Sequence, residues 1–115
     1  IMGDHTIAIT ATTVRVPVFD CHSESINVEL KREYELEDVK NLFLESPGIV
    51  LEDAPSENVY PLARNAAGTD MVYVGRVRRD FSLENGLNLW VVADNIRKGA
   101  ATNAVQIAEL LIEMA

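Results

Sequence analysis

Apolar and polar residues alternate along two parts of the chain, residues 6–18 and 25–30. Alternation of this kind is typical of strands that bury one face. In the first part the valines share one face, and Arg15 lies on the other. Pro17 has no amide hydrogen to donate to a neighbouring strand, so this strand is predicted to lie at the edge of a sheet or to end there.

Over residues 33–45 the apolar residues recur with the period of a helix. Acidic residues cluster early in this stretch, where the helix dipole favours them, and Ser46-Pro47-Gly48 ends it. Its apolar stripe consists of Leu36, Val39, Leu42 and Phe43. A second helix is predicted over residues 99–114, with a buried side formed by Ala100, Ala104, Ile107, Ala108, Leu111 and Ile112.

Three further strands complete the predicted elements. Residues 49–51 form a short apolar run, and residues 71–79 and 87–93 are apolar on both faces over much of their length, as strands inside a sheet are. A short connection joins the last two, which predicts an antiparallel pair, and residues 52–69 are predicted as loop. The elements predict one α+β domain over residues 1–115: a mixed, largely antiparallel sheet with helices packed on one face, plus a C-terminal helix.

Composition and charge narrow the function classes. The chain has 115 residues, 48% of them hydrophobic and 24% charged, which suits one soluble domain with a core. Its net charge of −8 argues against a nucleic-acid partner, which requires a basic surface. No apolar run approaches the roughly 20 residues that span a membrane. A single cysteine excludes an internal disulfide framework or a cysteine-based zinc site, so a cytoplasmic protein without a metal site is predicted.

The segment from Arg15 to Ser25 carries the residues best suited to chemistry. A guanidinium matches a carboxylate with two hydrogen bonds, and an imidazole is the usual proton shuttle. Arg15 and His22 lie an odd number of positions apart, which places them on opposite faces of an unbroken strand. Bends at Pro17 and Asp20 can bring both into one cleft. The alternative is a surface arginine and a histidine satisfied in a turn.

Other candidate groups are weaker. Cys21 and His22 are adjacent in an extended chain and point apart, so a Cys–His dyad is rejected in favour of a small half-buried thiol. Residues 95–99 combine amides before a helix, two cations and a glycine, which suit a phosphate or the edge of a cofactor; helix capping with solvated charges is the alternative. The arginines of the strand over 71–79 could bind an anion, although such runs more often pair with surplus carboxylates.

Two ordered motifs carry a resemblance to a known family. The first is Val-Arg-Val-Pro-Val at residues 14–18 with His-Ser-Glu at 22–24, and the second is the long stretch of residues 88–106. Together with Tyr-Pro at 60–61 and Val-Gly-Arg at 74–76, they closely resemble the C-terminal part of bacterial aspartate-β-semialdehyde dehydrogenase. The resemblance extends over nearly the whole chain.

The resemblance implies an activity and roles for particular residues. Enzymes of that family reduce β-aspartyl phosphate to aspartate β-semialdehyde with NADPH and release phosphate, on the route to lysine, methionine, threonine and diaminopimelate. Arg15 would hold the substrate carboxylate, and His22 would be the acid/base residue. Asn95 and Gly99 would lie near the nicotinamide of NADP. A homodimer is also implied, with the mixed sheet of this domain forming the contact.

The resemblance also implies what lies outside this chain. The nucleophilic cysteine and the nucleotide-binding fold belong to an upstream part, and neither Cys21, where the family commonly has glycine, nor Thr13 is the nucleophile. Ile1-Met2-Gly3-Asp4 lacks an initiator methionine at its first position, so the sequence is interpreted as a piece of a longer polypeptide. Its final helix, about residues 96–115, would return to the nucleotide-binding domain, and the fragment alone is expected to be inactive.

Two alternatives remain open from the sequence. The chain could be a non-catalytic homodimerisation or small-anion-binding module. It could also belong to an acyl-phosphate reductase for another amino-acid precursor, although the spacing of Arg15 and His22 makes this less attractive.

Overall fold

Among residues 3–114, which the computed structural model of the chain describes, four strands form one sheet in the order β1-β4-β3-β2. The strands are β1 (His22–Glu29), β2 (Ile49–Leu51), β3 (Val72–Asp80) and β4 (Gly86–Ala93). The helices are α1 (Leu36–Glu45), α2 (Ala63–Ala66) and α3 (Thr102–Glu113), with a 3₁₀ turn at Pro55–Glu57 and a π-helical turn at Arg97–Ala101. Ile1 and Met2, on which the interpretation of the first residues partly rests, and Ala115 lie outside the described residues.

Strand pairing confirms the predicted fold class. β4 pairs antiparallel with β1 and β3, whereas β2 pairs parallel with β3, so the sheet is mixed and largely antiparallel. The predicted antiparallel pair of the last two strands is β3 and β4. A parallel pair needs a long crossover connection, and the stretch between β2 and β3, predicted as loop, provides it and contains α2.

Helix α1 covers one face of the sheet. It packs on a cluster of three nearly buried residues, Val74, Val77 and Leu87. Leu36, Val39 and Phe43 of the predicted stripe contact this cluster, and Leu42, predicted to be buried with them, is instead 63% exposed. The helix begins later than predicted because Glu35 has an extended backbone, so the acidic residues before it lie outside the helix.

Among the described residues, the opposite face of the sheet is covered only near α2. There Ala66 and Val92 are fully buried together with Cys21, and Tyr73 and Trp90 pack beside them. Helix α2 therefore lies on the face opposite α1. Away from α2, β1 presents exposed polar residues on this face.

The strand predicted over residues 6–18 is wrong. Residues 3–20 are irregular and exposed, and the sheet pairs β1, not this segment, with β4. A strand requires a neighbour whose backbone groups it can pair with, and among the described residues neither edge strand of the sheet, β1 or β2, pairs with this segment. The amide of Val18 donates to the Val16 carbonyl at 2.8 Å, so the bend predicted at Pro17 is confirmed.

The buried side predicted for the last helix is also wrong. Helix α3 forms, but Ile107, Leu111 and Ile112 are 53–76% exposed, and the helix contacts mainly the π-helical turn before it. A helical period shows that one side is apolar and does not show what covers that side. Neither α3 nor any other helix of residues 3–114 is long and apolar enough to cross a membrane.

Candidate functional site

His22 and Arg15 are both open to solvent. His22 is the first residue of β1 and lies opposite Ala93 of β4. Because opposed residues of an antiparallel pair share a face, the His22 side chain lies on the face that α1 covers further along the sheet. Arg15 lies in the irregular segment of residues 3–20 and is exposed. That the two side chains meet in one pocket stays a prediction.

Cys21 immediately precedes β1 and faces the core. Its thiol donates to the Ala63 carbonyl at 3.3 Å, and the residue is 8% exposed, more buried than predicted. Burial, followed by the charges of Asp94 and Asp20, raises the pKa of the thiol and keeps it protonated near neutrality. This position agrees with the rejection of a dyad with His22.

Asp94 is a buried carboxylate that joins the end of β4 to the crossover before β3. Its Oδ2 accepts from the Gly68 amide at 2.8 Å, and its Oδ1 accepts from the amides of Ile96 at 3.0 Å and Arg97 at 3.4 Å. These backbone donors, Gly68 foremost, hold the pKa of the Asp94 carboxyl below its ordinary value. The carboxylate therefore fixes the turn that carries Asn95. Asp94 is not among the site residues predicted from the sequence, although an aspartate directly after a strand and before a turn is a usual signal for this arrangement.

The structure brings Asn95 and Gly99 together across one turn. A Cβ atom added at Gly99 would lie 3.8 Å from the Asn95 Cβ. Arg97 donates from Nε and Nη2 to the two carboxylate oxygens of Asp70, at 2.7 and 2.9 Å, and Lys98 donates to a glutamine of α3 at 2.6 Å. Both cations therefore have partners within the chain, which favours the edge of a cofactor over a phosphate at this turn.

A cleft of about 310 Å³ opens on the face opposite α1. Its lining consists of Ser25, Tyr60, Pro61, Leu62, Arg76, Arg78, Leu89 and Trp90. The Trp90 indole donates from Nε1 to the Pro61 carbonyl at 3.1 Å, and Pro61 is fully buried, so this wall of the cleft is fixed. The Arg76 guanidinium lies over the Tyr60 ring at 5.9 Å.

The three arginines of β3 have different surroundings. Arg79 lies on the α1 side, where its Nη2 is 3.9 Å from Glu35 and its guanidinium is 4.3 Å from the centre of the Tyr34 ring. Arg76 and Arg78 lie at the cleft, and within residues 3–114 neither forms a salt bridge with a carboxylate. The expectation that this run pairs with surplus carboxylates is correct for Arg79 and wrong for the other two.

Comparison with known proteins decides the family. Residues 1–98 match the family described as semialdehyde dehydrogenase, dimerisation domain. The chain belongs to this family. The resemblance predicted from the two sequence motifs is thereby confirmed, and relatives named aspartate-semialdehyde dehydrogenase match almost the whole chain.

The curated relatives are much longer than the chain. The aspartate-semialdehyde dehydrogenase of Aquifex aeolicus is 53% identical over 113 residues, which are 98% of this chain and 33% of the relative. The enzyme of Shewanella violacea is 58% identical over 113 residues, again 33% of its length. The chain thus spans about a third of the curated relatives that it matches.

Solved structures share the fold. A crystal structure of aspartate semialdehyde dehydrogenase II from Vibrio cholerae, complexed with ASA, has a TM-score of 0.77 at 50% identity and covers 85% of this chain and 29% of that chain. The enzyme from Candida albicans, solved with NADP, has a TM-score of 0.64 at 28% identity and covers 84% of this chain and 31% of that chain. These similarities agree with the predicted α+β fold.

Proposed function

We propose that the chain is the C-terminal part of an NADP-dependent aspartate-semialdehyde dehydrogenase that works as a homodimer in the cytoplasm. The reaction is the reductive dephosphorylation of β-aspartyl phosphate to aspartate β-semialdehyde, for the synthesis of lysine, methionine, threonine and diaminopimelate. The observation that carries this proposal is 53% identity to an enzyme of that name over almost the whole chain. The exposed apolar side of α3 supports a return of this helix to the nucleotide-binding part.

Arg15 and His22 have complementary roles in the proposed reaction. The Arg15 guanidinium binds the carboxylate of the substrate through two parallel hydrogen bonds. A cysteine thiol, supplied by the upstream part, attacks the acyl phosphate; a thioester forms, phosphate leaves, and the thiol proton needs an acceptor. The His22 imidazole accepts this proton. Both side chains are exposed, so they are free to face another part of the polypeptide.

Asn95 and Gly99 fit the edge of a nicotinamide. NADPH supplies the hydride when bound. Gly99 is exposed and has no side chain, and a Cβ there would meet nothing closer than 3.8 Å, so a flat ring can lie against this turn. Asn95 is half-buried and offers an amide beside it. Arg97 and Lys98 are engaged within the chain, so the phosphates of the cofactor bind elsewhere.

A chimera tests the proposed activity. The homologous third of the Aquifex aeolicus enzyme is replaced by this chain, and phosphate-dependent NADPH formation from aspartate semialdehyde is measured. The chimera is expected to turn over, whereas the isolated chain is expected to be inactive because it lacks the nucleophile. A folded chimera without activity, or turnover by the isolated chain, would contradict the proposal.

Variants of the chimera test the two roles. His22→Asn is expected to lower kcat by about 10²-fold or more, since a positioned acid/base contributes that much. Arg15→Lys is expected to raise KM for the semialdehyde, because an ammonium cannot form the two parallel bonds. His5→Asn and Arg32→Lys change an exposed histidine and arginine elsewhere and are the matched controls. Equal effects of the site and control variants would show that Arg15 and His22 have no role in the reaction.

The second candidate is a dimerisation or small-anion-binding module without catalysis. The two unpaired arginines at the cleft favour it. Sizing chromatography together with a titration of the chain with aspartate separates the two functions: a dimer without affinity for aspartate, combined with an inactive chimera, supports the module.

A further inference from the structure

The turn between β4 and α3 carries Asn95 and Gly99 and is partly π-helical. In the π-helical turn Arg97–Ala101, the Ala101 amide donates to the Ile96 carbonyl, five positions earlier, at 3.4 Å. Turns of this kind are rare and occur frequently at functional sites. Because this hydrogen bond is long, contacts from outside the turn help to hold its conformation.

Asp70 provides such a contact from the crossover before β3. Its two carboxylate oxygens accept from Arg97 Nε at 2.7 Å and from Arg97 Nη2 at 2.9 Å, which joins residues 27 positions apart. Arg97 foremost, and next the Thr102 side chain, lower the pKa of the Asp70 carboxyl by hydrogen bonding to its charged form. Arg97 begins the π-helical turn and Thr102 begins α3, so one carboxylate contacts both ends of the turn.

The pair of Asp70 and Arg97 contributes more to orientation than to stability. The side chains of Arg97 and Asp70 are 44% and 39% exposed, and exposed ion pairs stabilise a fold little. Two parallel hydrogen bonds nevertheless fix the direction of a guanidinium, which a single bond does not. Asn95 and Gly99 each lie two positions from Arg97 in the sequence, so a contact that fixes Arg97 also restrains both of them.

We propose that Asp70 is a positioning residue for the cofactor and acts through Arg97. The carboxylate holds the turn in the conformation in which Asn95 and Gly99 lie side by side and can contact the nicotinamide ring. Hydride transfer needs an aligned ring, so a displaced turn lowers the rate without weakening the binding of the substrate carboxylate. The inference rests on the proposed NADP site and adds a residue that orients this site from another part of the chain.

Amide hydrogen exchange in the cofactor-free chimera with the Aquifex aeolicus enzyme tests the positioning directly. Asp70→Asn removes the charge of the carboxylate, and Arg97→Lys keeps the positive charge and loses the two parallel bonds. Each variant is expected to speed exchange of the amides of residues 97–101 by at least about fivefold, because local opening becomes easier. The amides of β3 and β4 should keep their exchange rates. Asp38→Asn and Arg32→Lys make the same changes at exposed positions elsewhere and are the controls.

Kinetics of the same variants test the consequence for the cofactor. In each site variant, kcat/KM for NADP is expected to fall at least about tenfold, since a misplaced ring loses its alignment. KM for aspartate semialdehyde should stay within about twofold of the unaltered chimera, because the substrate is held by other residues. The double variant should lose no more than about twofold beyond the larger single loss, because two residues that act as one pair are not additive.

The outcomes separate this inference from the proposed function. An unaltered chimera without activity removes the proposed function, and the inference with it. An active chimera in which Asp70→Asn leaves either the exchange rates or kcat/KM for NADP unchanged overturns the inference alone. Equal losses for NADP and for aspartate semialdehyde would assign the pair a structural role and also overturn it. Additive losses in the double variant would show that Asp70 does not act through Arg97.

Discussion

Cys21 connects the irregular segment of residues 3–20 to β1, and its backbone has a φ of 77°. This left-handed conformation costs residues with a Cβ of the order of 1–2 kcal/mol. The same residue contributes its thiol to the small core between α2 and β4. The resemblance had indicated glycine as the common residue here, and the positive φ is the physical reason that glycine suits the position.

Replacement of Cys21 is expected to invert the usual order of stability, in which an alanine variant is more stable than a glycine variant. Cys21→Ala loses the buried thiol and keeps the strained backbone, whereas Cys21→Gly relieves the strain. The glycine variant should therefore be more stable than the alanine variant by about 1 kcal/mol, measured as the free energy of unfolding in urea. The same pair of changes at Ser25, inside β1, provides the control, where alanine should be the more stable. A less stable glycine variant at residue 21 would contradict this account.

Asp94 is expected to make the fold sensitive to acid. Its pKa in the folded chain lies below the ordinary value of 3.8, so between the two values the unfolded chain binds a proton that the folded chain does not. The contribution of Asp94 to the free energy of unfolding is thus complete above the ordinary pKa of 3.8. It is lost as the pH falls through the lower pKa of the folded chain. Asp94→Asn should be less stable near neutrality and should lose less stability on acidification, measured by urea midpoints from about pH 6 to about pH 3. Asp20→Asn is the control; equal pH slopes for Asp94→Asn and the unaltered chain would contradict the role.

Among the elements, β3 depends on close contact with the crossover that precedes it. A Cβ at Gly75 would overlap the Glu52 carbonyl oxygen and lie 2.5 Å from Pro61 Cδ. Gly75→Ala is therefore expected to lower the free energy of unfolding by about 3 kcal/mol, because backbone atoms must move. Gly99→Ala is the matched control: its nearest atom is 3.8 Å away, and alanine in a helical turn should be neutral or stabilising by up to about 1 kcal/mol. Similar losses for both variants in urea unfolding would refute the close contact.

The elements that the sequence predicts correctly are those whose signal is local. The stripe of α1 and the apolar runs of β3 and β4 each contain enough information to identify the element. The alternation over residues 6–18 is equally regular, but a strand also needs a partner, and no property of the segment itself states whether one is available. The bulge in β3 is also not predicted by periodicity. Its register with β4 shifts between Gly75 and Arg78, where Arg76 is one residue more than the partner strand has, and one extra residue only shifts the pattern of faces.

The contacts of the candidate site also differ in how far the sequence predicts them. Asn95 and Gly99 are four positions apart, and a helical turn brings them together. The sequence indicated the segment of residues 95–99 but placed it just before the helix, so this proximity was not predicted. Asp94 and Gly68 meet because β3 and β4 pair antiparallel, which places the residues before β3 beside those after β4. The antiparallel pair is predicted from the sequence, but the hydrogen bond between the two residues is not. Arg15 and His22 are separated by an irregular segment, and their meeting stays a prediction.

For the whole molecule, α3 is the element least attached to the rest. Its apolar residues are exposed, and it contacts mainly the turn before it. Truncation that removes residues 102–115 should therefore change the free energy of unfolding, followed by Trp90 fluorescence in urea, by less than about 1 kcal/mol, because little apolar area is buried there. A truncation that also removes Asp94 is the contrasting variant and should be clearly less stable. A large loss on removal of α3 alone would show that the helix supports the sheet.

The exposed surfaces of the chain agree with a part of a larger assembly. The chain covers about a third of its curated relatives, and its apolar α3 side, part of the sheet face opposite α1 and the segment bearing Arg15 are all exposed. Single exposed apolar residues are ordinary, whereas a helix exposed along its apolar side usually indicates a missing partner. The proposed homodimer accounts for the exposed part of the sheet, and the proposed nucleotide-binding part accounts for α3.

The extra residue in β3 has a consequence for how this sequence can change. Deletion of residue 76 would remove the bulge and leave Val77 facing α1 and Arg78 facing the other side, because Gly75 and Val77 then alternate as in a regular strand. Replacement of Arg76 by another amino acid leaves the alternation of faces before and after it unchanged. Loss of residue 76 is therefore as compatible with the sheet as its replacement, and variation among descendants of this sequence should include both at this position.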